Sequence, residues 1–173
     1  MGCIHIYCGD GKGKTSAALG LAIRAAGRGK KVLIVRFLKT EDSGEVPILC
    51  QIPGITVTPC DREFGFVFRM GAEEKAEAAK YFRQRFAQAC HEAVSRGYGI
   101  LILDEILAAC NYGMVQETDV IDFLKNRPGC LEVILTGRDP SHQLLEIADY
   151  VSDIQMIKHP YKKGIPAREG IEY

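Results

Sequence analysis

Residues Gly9-Asp10-Gly11-Lys12-Gly13-Lys14-Thr15 set three glycines, two lysines and a threonine between a short apolar run and an alanine-rich stretch. No other feature restricts the fold as tightly. The apolar run at 4–7 predicts a buried strand. Residues 14–26 predict a helix that Gly27 and Gly29 stop. A strand that turns through glycines into a helix is the setting of a phosphate-binding loop. Glycines let the backbone curl so that several N–H groups face one anion, and the helix N-terminus adds partial positive charge. Lys14 supplies a full charge, and Thr15 a hydroxyl suited to Mg²⁺. The general pattern Gly-x-x-x-x-Gly-Lys-Ser/Thr asks for glycine at position 8, where this chain has Cys8. The nucleotide-binding candidates are Gly9, Asp10, Gly11, Lys12, Gly13, Lys14, Thr15 and the adjoining Ser16.

Further along, apolar runs at 31–38, 55–58, 100–103, 131–136 and 151–157 read as strands. Helical stretches fall at 45–51, 72–96, 117–126 and 141–148. In the longest of these, Ala79, Phe82, Phe86, Cys90 and Ala93 recur at helical spacing and define one apolar face. This alternation predicts an α/β fold, a mostly parallel central sheet with flanking helices of the P-loop NTPase (RecA-like) type. Segment 60–71 has no clear period, and the tail from 158 onward reads as irregular. No linker composition interrupts the chain, so one domain is expected over 1–173.

Composition narrows the role. Lys and Arg number 22, as do Asp and Glu, so the net charge is zero. A nucleic-acid-binding domain would normally be basic, which argues against that partner. The apolar runs fall far short of the roughly 18 residues of a membrane helix, and no signal peptide is expected behind Met1. The 7 cysteines are scattered without a Cys-x-x-Cys, which predicts reduced thiols in the cytoplasm and neither a zinc site nor a disulfide framework. His5, His91, His142 and His159 lie far apart and read as structural or solvated.

A second acidic element follows an apolar strand: Ile100-Leu101-Ile102-Leu103-Asp104-Glu105. In nucleotide-binding α/β folds this position faces the phosphates beyond the strand ends. Asp104 and Glu105 are therefore candidate Mg²⁺ ligands together with Thr15. The competing reading has Asp104 capping the next helix. Residue chemistry alone leads to a nucleotide-binding domain and names no reaction.

The chain resembles the P-loop ATP:corrinoid adenosyltransferases. The resemblance rests on the short loop Gly9–Thr15, on Arg24-Ala25-Ala26-Gly27 with Gly29-Lys30-Lys31-Val32, and on Val35-Arg36-Phe37-Leu38-Lys39. Leu103-Asp104-Glu105, Asn126-Arg127-Pro128, Leu135-Thr136-Gly137-Arg138 and an ending from Lys158-His159 to Gly170-Ile171-Glu172-Tyr173 complete it. It covers nearly the whole chain and makes Cys8 an expected departure. The resemblance implies that Co(I) of a corrinoid attacks the ribose C5′ of ATP and that triphosphate leaves. Co(I) needs no activating base, so the protein positions the reactants and stabilises the leaving polyanion.

That work is implied for Lys12, Lys14, the loop amides, Arg138 and a divalent cation, Mg²⁺ or Mn²⁺, with Lys14 and Glu105 as catalytic residues and Arg24 among the nucleotide-binding ones. Gly65-Phe66-Val67-Phe68 matches a loop whose aromatic side chains displace the axial cobalt ligand, so Phe66 and Phe68 join the catalytic set. The second ring is Phe where Trp is expected. Some relatives carry an N-terminal helical extension over the site. Here the first strand is expected within four residues of Met1, so closure is expected from another segment, from a partner subunit, or not at all. A homodimer and a flavoprotein reductant are the remaining implied partners. Two readings compete: a P-loop ATPase or phosphotransferase cleaving at the γ-phosphate, and a carrier that binds without chemistry.

Overall fold

The computed structural model describes residues 1–40, 43–65 and 67–171. Six strands form one parallel sheet: β1 (Ile4–Cys8), β2 (Val32–Arg36), β3 (Ile55–Val57), β4 (Ile100–Asp104), β5 (Glu132–Thr136) and β6 (Tyr150–Asp153), in the order β3-β2-β4-β5-β1-β6. All strands run the same way, so every strand C-terminus opens on one edge of the sheet. The loop after β1 and the acids that end β4 therefore share that edge, with β5 between them.

Helices cover both faces. They are α1 (Lys14–Ala26), α2 (Val46–Leu49), α3 (Ala72–Ser95), α4 (Ile106–Asn111), α5 (Glu117–Asn126) and α6 (His142–Ile147). Side chains alternate across a strand, and the core divides accordingly. Val32, Ile34, Ile100, Ile102 and Ile134 pack with Ala18, Ala22 and Ala25 of α1. Leu33, Val35, Leu101, Leu103, Val133 and Leu135 pack with α3, α4 and α5 through Phe82, Phe86, Ile106, Leu107 and Leu124. The central strands β2 and β4 are buried along their whole length, as expected for a parallel sheet covered on both sides. The alanine run of α1 lets that helix approach the sheet closely. This fixes its N-terminus, and so the loop before it.

The apolar face expected on the long helix is present, but it also carries a charge. Arg85 is buried in α3, and its guanidinium donates to the carbonyls of Arg36 (3.0 Å), Pro59 (2.7 Å) and Thr58 (2.9 Å). These bonds tie α3 to the chain leaving β2 and β3 and satisfy a charge that burial would otherwise penalise.

Candidate functional site

Cys8 closes β1 as a buried residue, and its Sγ donates to the Ser152 carbonyl at 3.7 Å. It is a strand residue packed in the core. The turn starts one position later, at Gly9, whose φ is 103°, and no glycine is needed at position 8. Gly9 is also required for space: a β-carbon there would lie 2.4 Å from Asp153 Oδ1 and 2.5 Å from the Ile154 carbonyl oxygen. Gly13 has φ 122° but faces open space. It is the loop glycine with room for a ligand beside it.

The segment after β6 braces the loop from behind. The Gly11 N–H donates to the Ile154 carbonyl at 2.7 Å, and the Met156 N–H donates to Asp10 Oδ1 at 2.9 Å. Asp10 and the Gly11 amide are thus occupied in shaping the loop. Lys14 is buried, and its Nζ donates to the Gly11 carbonyl at 2.8 Å. Burial lowers the Lys14 pKa first and the positive charge of Arg138 second, against the pull of Glu105 and Asp10. An anion in this position would relieve both effects.

Across the sheet edge, Asp104 is buried at 1% exposure, and hydroxyls hold one of its oxygens. Thr15 Oγ1 donates to Asp104 Oδ1 at 2.9 Å, and Thr136 Oγ1 donates to the same atom at 2.6 Å. Lys39 Nζ donates to the other oxygen, Oδ2, and to Thr15 Oγ1 at 3.0 Å. Thr136 Oγ1 also accepts the Glu105 N–H at 2.9 Å. Glu105 adopts a left-handed backbone at φ 62°, and its side chain lines the cleft. Burial, followed by the charge of Asp104, raises the Glu105 pKa, while Lys39, Lys14 and Arg138 oppose the rise. Leu38 (φ 53°) and Asp139 (φ 49°) are left-handed as well, and Leu38 lines the cleft beside Lys39. Strained backbone of this kind gathers at sites that the surrounding structure overdetermines.

The loop and Glu105 border one cleft of about 800 Å³, enough for a nucleotide. Asp10, Gly11, Lys12, Gly13, Lys14, Thr15, Ser16, Glu105 and Arg138 all line it. Gly9 lies behind the lining, and Asp104 beneath Thr15 and Lys39. Arg24 lies at the other end of α1, exposed in the last turn and outside the lining. Phe66 lies outside the described residues, as does the side chain of Phe68, whose backbone forms a short 3₁₀ turn over Val67–Arg69. Beside that turn, Phe64 packs on Tyr81 and Phe82, at ring separations of 5.4 Å and 5.6 Å, and Phe82 reaches Phe37 at 6.2 Å. Phe37 directly precedes the cleft residues Leu38 and Lys39 in the chain.

Sequence reasoning missed Lys39, which joins Thr15 to Asp104, and His159, which lines the cleft. Lys39 stands in a motif that carried resemblance but no local chemical signal. Gly170 and Ile171 also border the cleft, where Lys12 Nζ donates to the Ile171 carbonyl. The tail beyond β6 therefore reaches over the loop. The motif Thr136-Gly137-Arg138 has three separate uses. Thr136 holds Asp104 and Glu105. Gly137 (φ 143°) passes so close to α4 that a β-carbon would lie 2.7 Å from Leu107 Cβ. Arg138 borders the cleft.

Among the described residues no group of three or more His, Cys, Asp or Glu side chains is arranged to hold a metal ion, and no helix is long and apolar enough to cross a membrane. All seven cysteines are free thiols.

Comparison with known proteins gives consistent results. The model of the family described as ATP:corrinoid adenosyltransferase BtuR/CobO/CobP matches residues 1–173. The corrinoid adenosyltransferase of Escherichia coli (strain K12) is 35% identical over 178 residues, covering 99% of this chain and 86% of the relative. The corrinoid adenosyltransferase CobA of Salmonella typhimurium is 34% identical, over 99% of this chain and 86% of its own length. That of Pseudomonas aeruginosa is 31% identical, over 99% and 84%. Among solved structures, the cytoplasmic domain of EssC superposes with a TM-score of 0.55 at 18% identity, over 96% of this chain and 34% of that one. EssC ATPases 2 and 3 from Geobacillus thermodenitrificans give 0.53 at 17% identity, over 99% and 36%. This chain spans about a third of those longer chains, and the likeness shows the fold alone.

Proposed function

The chain belongs to the ATP:corrinoid adenosyltransferase family, and from that premise we propose that it transfers the 5′-deoxyadenosyl group of ATP to Co(I) of a corrinoid, releasing triphosphate, in adenosylcobalamin synthesis. The observation that carries the reading is the gathering of Lys12, Lys14, Lys39 and Arg138 around one cleft at the head of α1. The attacking cobalt needs no protein base, whereas the departing triphosphate is a polyanion. A ring of fixed cations and loop amides is what such a departure requires. Lys14 leaves the Gly11 carbonyl for a phosphate oxygen, and the positive end of α1 adds to its effect. Arg138 contributes a second, delocalised charge from the β5 end.

The donor set fits a divalent cation, since Thr15 Oγ1 and Asp104 Oδ2 already hold the ammonium of Lys39. Thr15, Asp104 and Glu105 would hold Mg²⁺ or Mn²⁺, which when bound neutralises polyphosphate charge. Thr136 keeps Asp104 oriented from beneath. Phe66 and Phe68 belong to the corrinoid side of the proposal, where apolar rings keep water from the cobalt. A homodimer, a flavoprotein electron donor and a cytoplasmic setting complete it.

One observation favours the rival reading, cleavage at the γ-phosphate. Glu105, if it stays off the metal, is a carboxylate of raised pKa lining the cleft, the kind of group that orients a water. Product analysis separates the two. Anaerobic incubation with ATP, Mg²⁺ and chemically reduced cobalamin is expected to yield a light-sensitive adenosylated corrinoid and triphosphate in equal amounts. ADP and phosphate without adenosylated product would overturn the proposal.

A further inference from the structure

A cation already sits in the metal's donor set, and it belongs to the protein. Lys39 Nζ bridges Thr15 Oγ1, at 3.0 Å, and Asp104 Oδ2. A divalent ion held by those two oxygens would occupy the same small volume. An ammonium and a divalent ion cannot share it, because like charges a few ångströms apart repel strongly where water is scarce. One must leave when the other arrives.

The geometry shows which one is free to move. The Asp104 side chain is 1% exposed, while that of Lys39 is 22% exposed and lines the cleft. Asp104 also keeps two contacts that do not involve the lysine, the hydroxyls of Thr15 and Thr136 on Oδ1 at 2.9 Å and 2.6 Å. The carboxylate therefore stays in place without its ammonium. Lys39, on a long flexible stem, has the open cleft on one side.

We propose that Lys39 is a positioning residue that fills the cation site of the nucleotide-free protein and swings onto the polyphosphate when the metal–nucleotide complex enters. This deepens the reading above and rests on it. The swing keeps a buried carboxylate from standing unpaired between turnovers. It also couples metal binding to nucleotide binding, since the displaced ammonium finds its new partner only when phosphate is present. Free metal then competes with Lys39, whereas metal delivered with ATP does not.

The test is Mn²⁺ binding followed by electron paramagnetic resonance, with and without ATP, on the wild type, Lys39→Met and Lys39→Arg. Without ATP, Lys39→Met is expected to bind Mn²⁺ about tenfold more tightly than the wild type, the scale set by removing one nearby positive charge. Lys39→Arg keeps the charge and should stay near the wild type. If Lys39 merely propped up Asp104, its loss would weaken Mn²⁺ binding or leave it unchanged, and either result in a folded variant overturns the proposal. Thermal unfolding establishes that each variant is folded, and Lys39→Gln serves the same purpose if the Met variant is not. If the wild type binds no Mn²⁺ even with ATP, the metal reading itself fails. If it does bind and Lys39→Met shows no gain, only the role given to Lys39 fails.

Discussion

The Thr15 hydroxyl donates to the Asp104 carboxylate at 2.9 Å, joining the loop helix to the end of β4 across 89 positions of sequence. The contact lies at the centre of a small polar network. Asp104→Ala would leave the buried Thr136 hydroxyl without its acceptor, while the Lys39 ammonium keeps Thr15 Oγ1 and the open cleft. The expected loss is about 2 kcal/mol, from the cost of leaving a buried hydroxyl donor unsatisfied. Asp104→Asn keeps an acceptor in place and should lose less. Urea unfolding of the two variants checks this. A loss below about 1 kcal/mol for the alanine variant would mean that the network does not hold the site together.

Lys14 should affect stability and binding in opposite directions. Burial and Arg138 disfavour its charge in the ligand-free protein. Lys14→Met is thus expected to leave the melting temperature unchanged or slightly raised. The same change should weaken ATP binding and lower adenosylation by about a hundredfold, the scale for removing one preorganised donor to a developing charge. Calorimetric titration with ATP, together with thermal unfolding, measures both. An ATP affinity equal to the wild type would remove the loop from the phosphate site.

Two glycines of the same loop should differ when substituted. Both have positive φ, so alanine at either is strained by about 1–3 kcal/mol. At Gly13 that strain is the whole cost, since nothing lies within 4 Å of a new β-carbon. At Gly9 a clash with Asp153 and the Ile154 carbonyl adds to it. Gly9→Ala should therefore lose clearly more stability than Gly13→Ala, whereas Gly13→Ala should weaken nucleotide binding with milder unfolding. Equal unfolding midpoints would contradict the packing of the tail against the loop.

Much of this could be read from the chain wherever the signal was local. Residues 14–26 and 117–126 form helices with the expected bounds, because Gly27 with Gly29 and Pro128 supply nearby stops. The strand expected over 151–157 ends at Asp153 instead. Its continuation is drawn away by the loop, where Gly11 takes the Ile154 carbonyl and Asp10 the Met156 N–H. Only the tertiary structure reveals that competition. Helix α4, Ile106–Asn111, was not expected, since six residues are too few to establish a period. In the site, the loop and the Asp104-Glu105 pair announced themselves by type and spacing. Lys39 and His159 did not, because only the shared strand-end edge brings them to the cleft. Arg24 shows the converse: its motif is recognisable in sequence, yet a helix of 13 residues carries it away from the loop.

The thiols offer a test of burial that does not depend on activity. Burial favours the neutral thiol and pushes Cys90 and Cys110 up to about 12, with Glu117 and Asp119 adding to the effect at Cys110. At pH 8 such a thiol is only about one part in ten thousand thiolate, the form that reacts. Cys50 and Cys130 are exposed. Iodoacetamide at pH 8 should therefore label Cys50 and Cys130 in the folded protein and spare Cys90 and Cys110, which should react only once urea exposes them. Raising the pH to 9 should increase the rate at the exposed pair and leave the half-buried pair almost unlabelled, because Cys90 and Cys110 remain far below their midpoint. Mass spectrometry of the alkylated peptides reads the result site by site. Labelling of Cys90 as fast as Cys130 in the native state would contradict the packing of α3 on the sheet.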